Sequence, residues 1–351
     1  MNYDSLREDR KQAHIENYLL ASHKNSNLFE DVYLEHSSIS EYDYDDINTK
    51  MKFLGKEIGM PFMINAITGG GEWAYDINES LALIAKEFNI PMAVGSQKIA
   101  IDRPELSDSF KVVREVYPEG IVLANLGTEA SIDEMKIAID MINADAMQIH
   151  LNLAQELVME EGDRNFKGTY ELIEKAVKEL DVPVIVKEVG NGIQSQVIKK
   201  LYDVGVRYVD ISGKGGTNFI EIEDLRDSET DYSEFYSWGI PTALAIINAD
   251  NLDLDDLFLV SSGGITTASE ICKSIILGAD MCAGSGEIIK YLLHGGYDAA
   301  YNYVKGLDKK LRISMMLLNA GDLEELSHVD FRVIGRLREK LYQPVLKSHS
   351  K

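Results

Sequence analysis

The least neutral residue of this chain is a lysine at the end of an apolar run, Pro183-Val-Ile-Val-Lys187, with Glu188 next to it. Lysine is seldom buried without a partner. Two chemistries suit it there: a Schiff base with a carbonyl substrate, or a fixed cation beside an anionic ring such as a reduced flavin. The structural alternative is an ion pair with Asp210 or Glu188. A second group is Gln148-Ile-His150-Leu-Asn152, in which polar and apolar residues alternate. In a strand, Gln148, His150 and Asn152 share one face. A polar row turned into a core is costly unless it is paired or used. Gln155 and Glu156 follow directly. A carboxylate and an amide beside an inward histidine suit a divalent cation with oxygen ligands and a site of proton transfer. A core histidine with its hydrogen bonds satisfied is the plainer alternative.

Small polar and glycine clusters recur along the chain: Asn65-Ala-Ile-Thr68 running into Gly69-Gly70-Gly71, Gly95-Ser96-Gln97, Asn125-Leu-Gly127 and Ser212-Gly-Lys-Gly-Gly-Thr217. Two more are Ser261-Ser-Gly263-Gly264-Ile265-Thr266 and Ala283-Gly284-Ser285-Gly286. Glycine lets the backbone approach a flat ring or a phosphate closely, although a flexible turn uses the same residues.

What positions these clusters is a repeat. Eight short apolar runs precede them: Pro61–Ala66, Pro91–Ser96, Ile121–Asn125, Ala146–Asn152, Pro183–Lys187, Tyr208–Ser212, Leu257–Gly263 and Met281–Gly286. Each is short for a helix and rich enough in Val, Ile, Leu and Met for a buried strand. Amphipathic stretches separate most of them, and Ser131-Ile-Asp-Glu134 carries a capping-box pattern. Eight strand–helix repeats predict an α/β fold, a (β/α)8 TIM barrel, whose active site forms from the strand exits. The exits of strands seven and eight form the recurrent phosphate site of that fold. Residues 1–60 read as an N-terminal extension, 61–345 as the barrel with extra C-terminal helices at Tyr297–Leu318 and Val333–Leu341, and 346–351 as a polar tail. About forty residues join strands six and seven, long enough for a functional lid.

A net charge of −23 argues against nucleic acid or an anionic membrane as partner and implies that an anionic substrate needs local cations or a metal. Cys272 and Cys282 are the only cysteines and read as reduced and structural. No signal-like or membrane-length run is present, so the cytoplasm is the expected location. Arg10-Lys11-x-x-His14 groups cations near the N-terminus and could clamp a diphosphate, although such a pattern is also a solvated helix start.

Taken together, these segments closely resemble the type 2 isopentenyl-diphosphate isomerases from about residue 7 to about residue 341. The resemblance rests on Arg10-Lys11-x-x-His14-Ile15, Ala66-Ile67-Thr68-Gly69-Gly70, Gly95-Ser96-Gln97, Asn125-Leu-Gly127, Gln148-Ile-His150-Leu-Asn152-x-x-Gln155-Glu156, Glu161-Gly-Asp163-Arg164-x-Phe166, Val186-Lys187-Glu188, Ser212-Gly-x-Gly-Gly-Thr217, Trp238-Gly-Ile-Pro-Thr242 and Ser262-Gly-Gly264. It implies interconversion of isopentenyl diphosphate and dimethylallyl diphosphate by a 1,3-allylic proton shift, with reduced FMN and Mg2+. FMN would be held by Ala66, Ile67, Thr68, Ser96, Asn125 and Lys187, with Ser212 and Thr217 nearby. Gly263, Gly264, Ala283 and Gly284 would take its phosphate. Arg10, Lys11 and His14 would hold the substrate diphosphate, with His150, Asn152 and Gln155 at the substrate. Glu156 would bind Mg2+, and His150, Gln155 and Lys187 would carry the chemistry. NADPH or NADH would reduce the flavin, and the protein would be a homo-oligomer, tetramer or octamer. Leu153-Ala154 and Asn218-Phe219 depart from the usual pattern, and the strand-eight exit is unusually small. Three other readings compete: a flavin barrel oxidising a hydroxy acid or amine, which would want a His–Arg pair at the mouth; a Schiff-base lyase using Lys187; and a non-catalytic binding barrel.

Overall fold

The computed structural model describes residues 16–21, 25–227 and 229–342. All eight apolar runs are strands: Phe62–Ile64, Met92–Ala93, Val122–Gly127, Ala146–Leu151, Val184–Glu188, Tyr208–Asp210, Phe258–Ser261 and Met281–Gly284. Each lies parallel to the next, and the eighth pairs with the first, closing the barrel. Both faces of these strands are buried, which explains why they read as continuous apolar runs. Inward side chains such as Met63, Leu123, Ile185, Val260 and Met281 fill the barrel. The outward ones join the larger core beneath the helices.

The interior is closed below by a feature the sequence reading did not isolate. A hairpin, Met51–Phe53 with Lys56–Ile58, precedes strand one. Leu54 and Gly55 turn it with φ of 47° and 79°, both in the left-handed region a tight hairpin needs. Phe53 and Ile58 join the barrel's own core, and the Phe53 ring lies 5.1 Å from Phe258 and 6.1 Å from Tyr208. With the lower end plugged, the cavity opens at the strand exits.

The helices fall where the periodicity places them: Glu72–Glu87, Ile132–Ile142, Thr169–Glu179, Ser195–Asp203 and Ala268–Ile276. Complete capping boxes start two of them, Ser131 with Glu134 and Thr267 with Glu270. The expected helix Tyr297–Leu318 is part of a longer element, Gly286–Leu317, kinked where Gly296 leaves helical geometry. A helix at Asp108–Val116, packed on Glu72–Glu87, was not anticipated. The connection between strands six and seven is no structureless lid. It holds helices Phe219–Asp227 and Thr242–Asp250 and a short turn at Ser233–Phe235. Val32–Leu34 pairs antiparallel with Phe331–Val333, so the start of the expected last helix is a strand and the helix itself is Gly335–Tyr342. That pairing ties the N-terminal extension to the C-terminal segment. The expected tail, 346–351, lies outside the described residues, and no described helix is long and apolar enough to cross a membrane.

Candidate active site

The strand exits surround one cavity of about 360 Å³. Strand one brings Ala66 and Ile67 to its wall, and the exits of strands two and three bring Ser96 and Asn125. Strand four brings His150 and Asn152, and a short helix, Leu153–Val158, turns Gln155 and Glu156 onto the same wall. Lys187, Ser212, Thr217, Gly263, Gly264, Ala283 and Gly284 complete it. Thr68 is the exception: it is buried behind the wall, and its Oγ1 has no hydrogen-bond partner in the structure. Arg10, Lys11 and His14 lie outside the described residues.

Lys187 is buried, and its Nζ donates to the Glu188 backbone carbonyl at 2.6 Å. Burial pushes its pKa below the ordinary lysine value, with Asp210 and Glu188 pulling it back up. Neither carboxylate is committed to the lysine. Glu188 accepts the backbone N–H groups of Gly190, Asn191 and Gly192, and burial raises its pKa to about 7. Asp210 accepts from Asn65 Nδ2 at 2.6 Å, Ser262 Oγ at 2.5 Å and the Ser212 N–H at 3.2 Å. The cation is thus held beside the cavity by its neighbours' field and one carbonyl, with other donors of the ammonium left over.

The inward row of strand four is paired. Gln148 is fully buried, donates to Asn65 Oδ1 at 3.1 Å and accepts from Asn125 Nδ2 at 3.0 Å. His150 Nδ1 lies 3.0 Å from Asn125 Oδ1. Gln155 donates through Nε2 to Glu223 at 2.7 Å, and Glu223 is paired with Arg226, itself paired with Glu161. The amide orientation of Gln155 is therefore set by the helix Phe219–Asp227, and its oxygen is the atom left for the cavity. Glu156 accepts from Asn152 Nδ2 and from the Asp163 N–H, each at 2.7 Å. Glu129 also lines this wall. Burial raises its pKa, and the charges of Glu156 and Asp163 raise it further.

Sequence reasoning missed the roles of Asn65, Glu129, Ser262, Glu223 and Arg226. Only Glu223 and Arg226 left a signal, as an acid and a base three apart on one helix face. The other three become partners only when the barrel closes. At the exits of strands six and seven, a Cβ on Gly263 (φ 100°) would stand 1.8 Å from the Gly213 carbonyl oxygen. These loops pack backbone on backbone, a close approach that side chains would block.

The profile of the FMN-dependent dehydrogenase family matches residues 134–332. The chain is 43% identical to an isopentenyl-diphosphate delta-isomerase of Listeria innocua, over 96% of this chain and 94% of the relative. It is 37% identical to one of Staphylococcus haemolyticus over 99% of both chains. This chain belongs to the isopentenyl-diphosphate delta-isomerase family. Its members share their fold with proteins of other names. A mandelate oxidase structure superposes with a TM-score of 0.65 at 15% identity over 93% of this chain and 99% of the oxidase. A putative lactate oxidase of Pediococcus acidilactici gives 0.69 at 16% over 95% of both chains. At that identity the likeness concerns the barrel alone. An oxidising flavin barrel would want an arginine at the mouth, but Arg164, Arg207 and Arg226 are engaged structurally. Arg164 binds the carbonyls of Met159, Glu156 and Gly162, Arg207 pairs with Asp256, and Arg226 pairs with Glu161 and Glu223.

The donor set of this isomerase-family chain suits FMN. The glycine loops leave room for a ring and phosphate, a buried cation stands at the wall, and the helix Gly286–Leu317 begins beside Ala283 and Gly284 with an N-terminus open to an anion. Among the described residues, no group of three or more His, Cys, Asp or Glu is arranged to hold a metal. A Mg2+ ion would need its other usual manner of binding, with one or two carboxylates, water and substrate phosphate as ligands.

Proposed function

We propose that this chain interconverts isopentenyl diphosphate and dimethylallyl diphosphate by a 1,3-allylic proton shift, using reduced FMN and Mg2+. The observation that carries the reading is the meeting of His150, Gln155, Glu156 and Lys187 with the glycine loops on one cavity. When bound, reduced FMN supplies an electron-rich ring that can hold and release a proton. Ala66, Ile67, Ser96 and Asn125 would fix the ring, and Lys187 would offset the charge of its anionic form. Gly263, Gly264, Ala283 and Gly284 would take the cofactor phosphate. Gln155, pinned by Glu223, would turn its carbonyl oxygen toward the substrate. His150 and Asn152 would line the substrate pocket, and positive charge developing on carbon would face an electron-rich surface. Glu156 would hold Mg2+ against the diphosphate, where the repulsion among Glu129, Glu156 and Asp163 favours a cation. Arg10, Lys11 and His14 would hold the diphosphate. The proposal includes NADPH or NADH as reductant and, from the resemblance, a cytoplasmic homo-oligomer.

The test is an anaerobic isomerisation assay with Mg2+, with and without reduced FMN. Turnover that requires both supports the proposal. FMN binding without turnover points to an oxidising flavin barrel. Borohydride trapping of Lys187 without FMN binding points to a Schiff-base enzyme.

A further inference from the structure

Three amides and a carboxylate inside the barrel form a chain of hydrogen bonds whose direction is fixed. Asn65 follows strand one, Asn125 lies in strand three, Gln148 in strand four, and Asp210 ends strand six. All four are almost wholly buried, with relative exposures of 4%, 2%, 0% and 0%. The direction is set at Asn65. Its Oδ1 lies 2.9 Å from the Ala66 backbone nitrogen, and a backbone N–H can only donate. The atom facing Ala66 is therefore the oxygen, and Nδ2 is turned to Asp210, whose other oxygen receives Ser262 and the Ser212 N–H. Gln148 must then present its nitrogen to Asn65 Oδ1, which leaves its oxygen for Asn125 Nδ2. Asn125 is left with its oxygen toward His150 Nδ1, 3.0 Å away. An amide oxygen cannot donate, so the hydrogen in that bond belongs to the ring.

We infer that Asp210, Asn65, Gln148 and Asn125 hold His150 as its Nδ1–H tautomer, so that the ring gains and loses protons only at Nε2. Which nitrogen of a histidine carries the proton is set by the bond the other one makes. Here that bond is dictated three residues away, at Asn65 across the barrel. A Cβ on Gly127 would come within 2.9 Å of Nε2 and 2.0 Å of Glu129 Oε2, which places Nε2 toward the Glu129 side of the cavity. A proton arriving at Nε2 converts the ring to its cation with Nδ1–H still on Asn125, and its departure restores the neutral ring. The neutral ring offers a lone pair at Nε2 and the cation offers a donor there. Asp210, Asn65 and Gln148 act through Asn125 and are positioning residues. This inference deepens the isomerase reading and rests on it for what Nε2 faces. The tautomer itself does not depend on turnover.

The experiment is NMR of the full chain labelled with 13C,15N-histidine, with and without FMN, at a pH where the ring is neutral. The His150 signals are identified by their loss in His150→Gln. The expected wild-type result is a protonated-type shift at Nδ1 and an unprotonated-type shift at Nε2. Gln148→Met interrupts the chain and should give mixed tautomers in protein that still retains FMN. Gln148→Glu should keep Nδ1–H, because a carboxylic acid there can donate to Asn65 and accept from Asn125. A wild-type proton on Nε2 overturns the inference whatever the variants do. So does an unchanged tautomer in Gln148→Met. An inactive wild type with Nδ1–H would sink the isomerase proposal and leave this one standing.

Discussion

At the scale of the residue, Lys187 is a cation held out of water beside the cavity. Its depressed pKa comes from burial, and the sign of the consequence follows. The folded protein loses this charge as pH rises through a value below that of a free lysine. In the proposed role, the hold on an anionic flavin is then lost over the same range. Affinity for reduced FMN should fall on the alkaline side at a pH below the ordinary lysine value of 10.5. Lys187→Arg should move that limb upward, because guanidinium stays charged. A limb at the same pH in Lys187→Arg would assign the titration to another group. Gln155 makes a parallel case. Glu223→Met removes the acceptor that orients its amide, and a buried charge-assisted bond of this type contributes about 1.5–3 kcal/mol. The loss should appear in kcat more than in KM, since the amide would be misdirected rather than removed. A change in KM alone would place Gln155 in plain substrate binding.

At the scale of the element, two turns test how much the loops depend on glycine. Gly55 in the closing hairpin has φ 79° and open space where a Cβ would go, whereas Gly263 has φ 100° and a carbonyl oxygen in the way. Gly55→Ala should therefore cost only backbone strain, about 1–3 kcal/mol. Gly263→Ala should cost more and should also release FMN, which denaturant melts and flavin fluorescence would read. Equal costs would mean that the strand-seven exit yields more easily than its packing implies. Thr267→Ala removes a complete capping box and should cost about 1 kcal/mol without touching the cavity. These elements also show what a sequence carries. The barrel strands were legible because burial on both faces leaves an unbroken apolar run, and Ser131 with Glu134 marked a helix start in the letters themselves. The hairpin and the Val32–Leu34 strand were not legible, because three-residue strands have too little periodicity and take their partners from distant sequence. Helix Leu153–Val158 was missed because six residues carry too little periodicity, although Gln155 and Glu156, which it turns onto the cavity wall, stood out in the sequence. The network from Asp210 to His150 could not be read at all, since its members are neighbours only across a closed barrel.

At the scale of the whole molecule, the cofactor reading makes a claim about stability. Anything that binds the native state alone stabilises it by mass action, about 2.7 kcal/mol at a ligand concentration 100-fold above Kd. An unfolding entropy of about 2.1 cal/mol/K per residue turns that into a rise in Tm of about 4 °C for a chain of this length. The net charge of −23 works against an anionic ligand, and Lys187 and a helix N-terminus at the cavity wall work locally the other way. A ligand whose ring also becomes anionic gains from the lysine something a neutral ring does not. Reduced FMN should therefore raise Tm more than oxidised FMN at equal concentration, under anaerobic conditions. Lys187→Met should remove that difference while leaving the part of the shift that comes from the phosphate and the glycine loops. An equal shift for both oxidation states in the wild type would separate Lys187 from the ring's charge. The buried lysine would then be explained by its neighbours Asp210 and Glu188 alone.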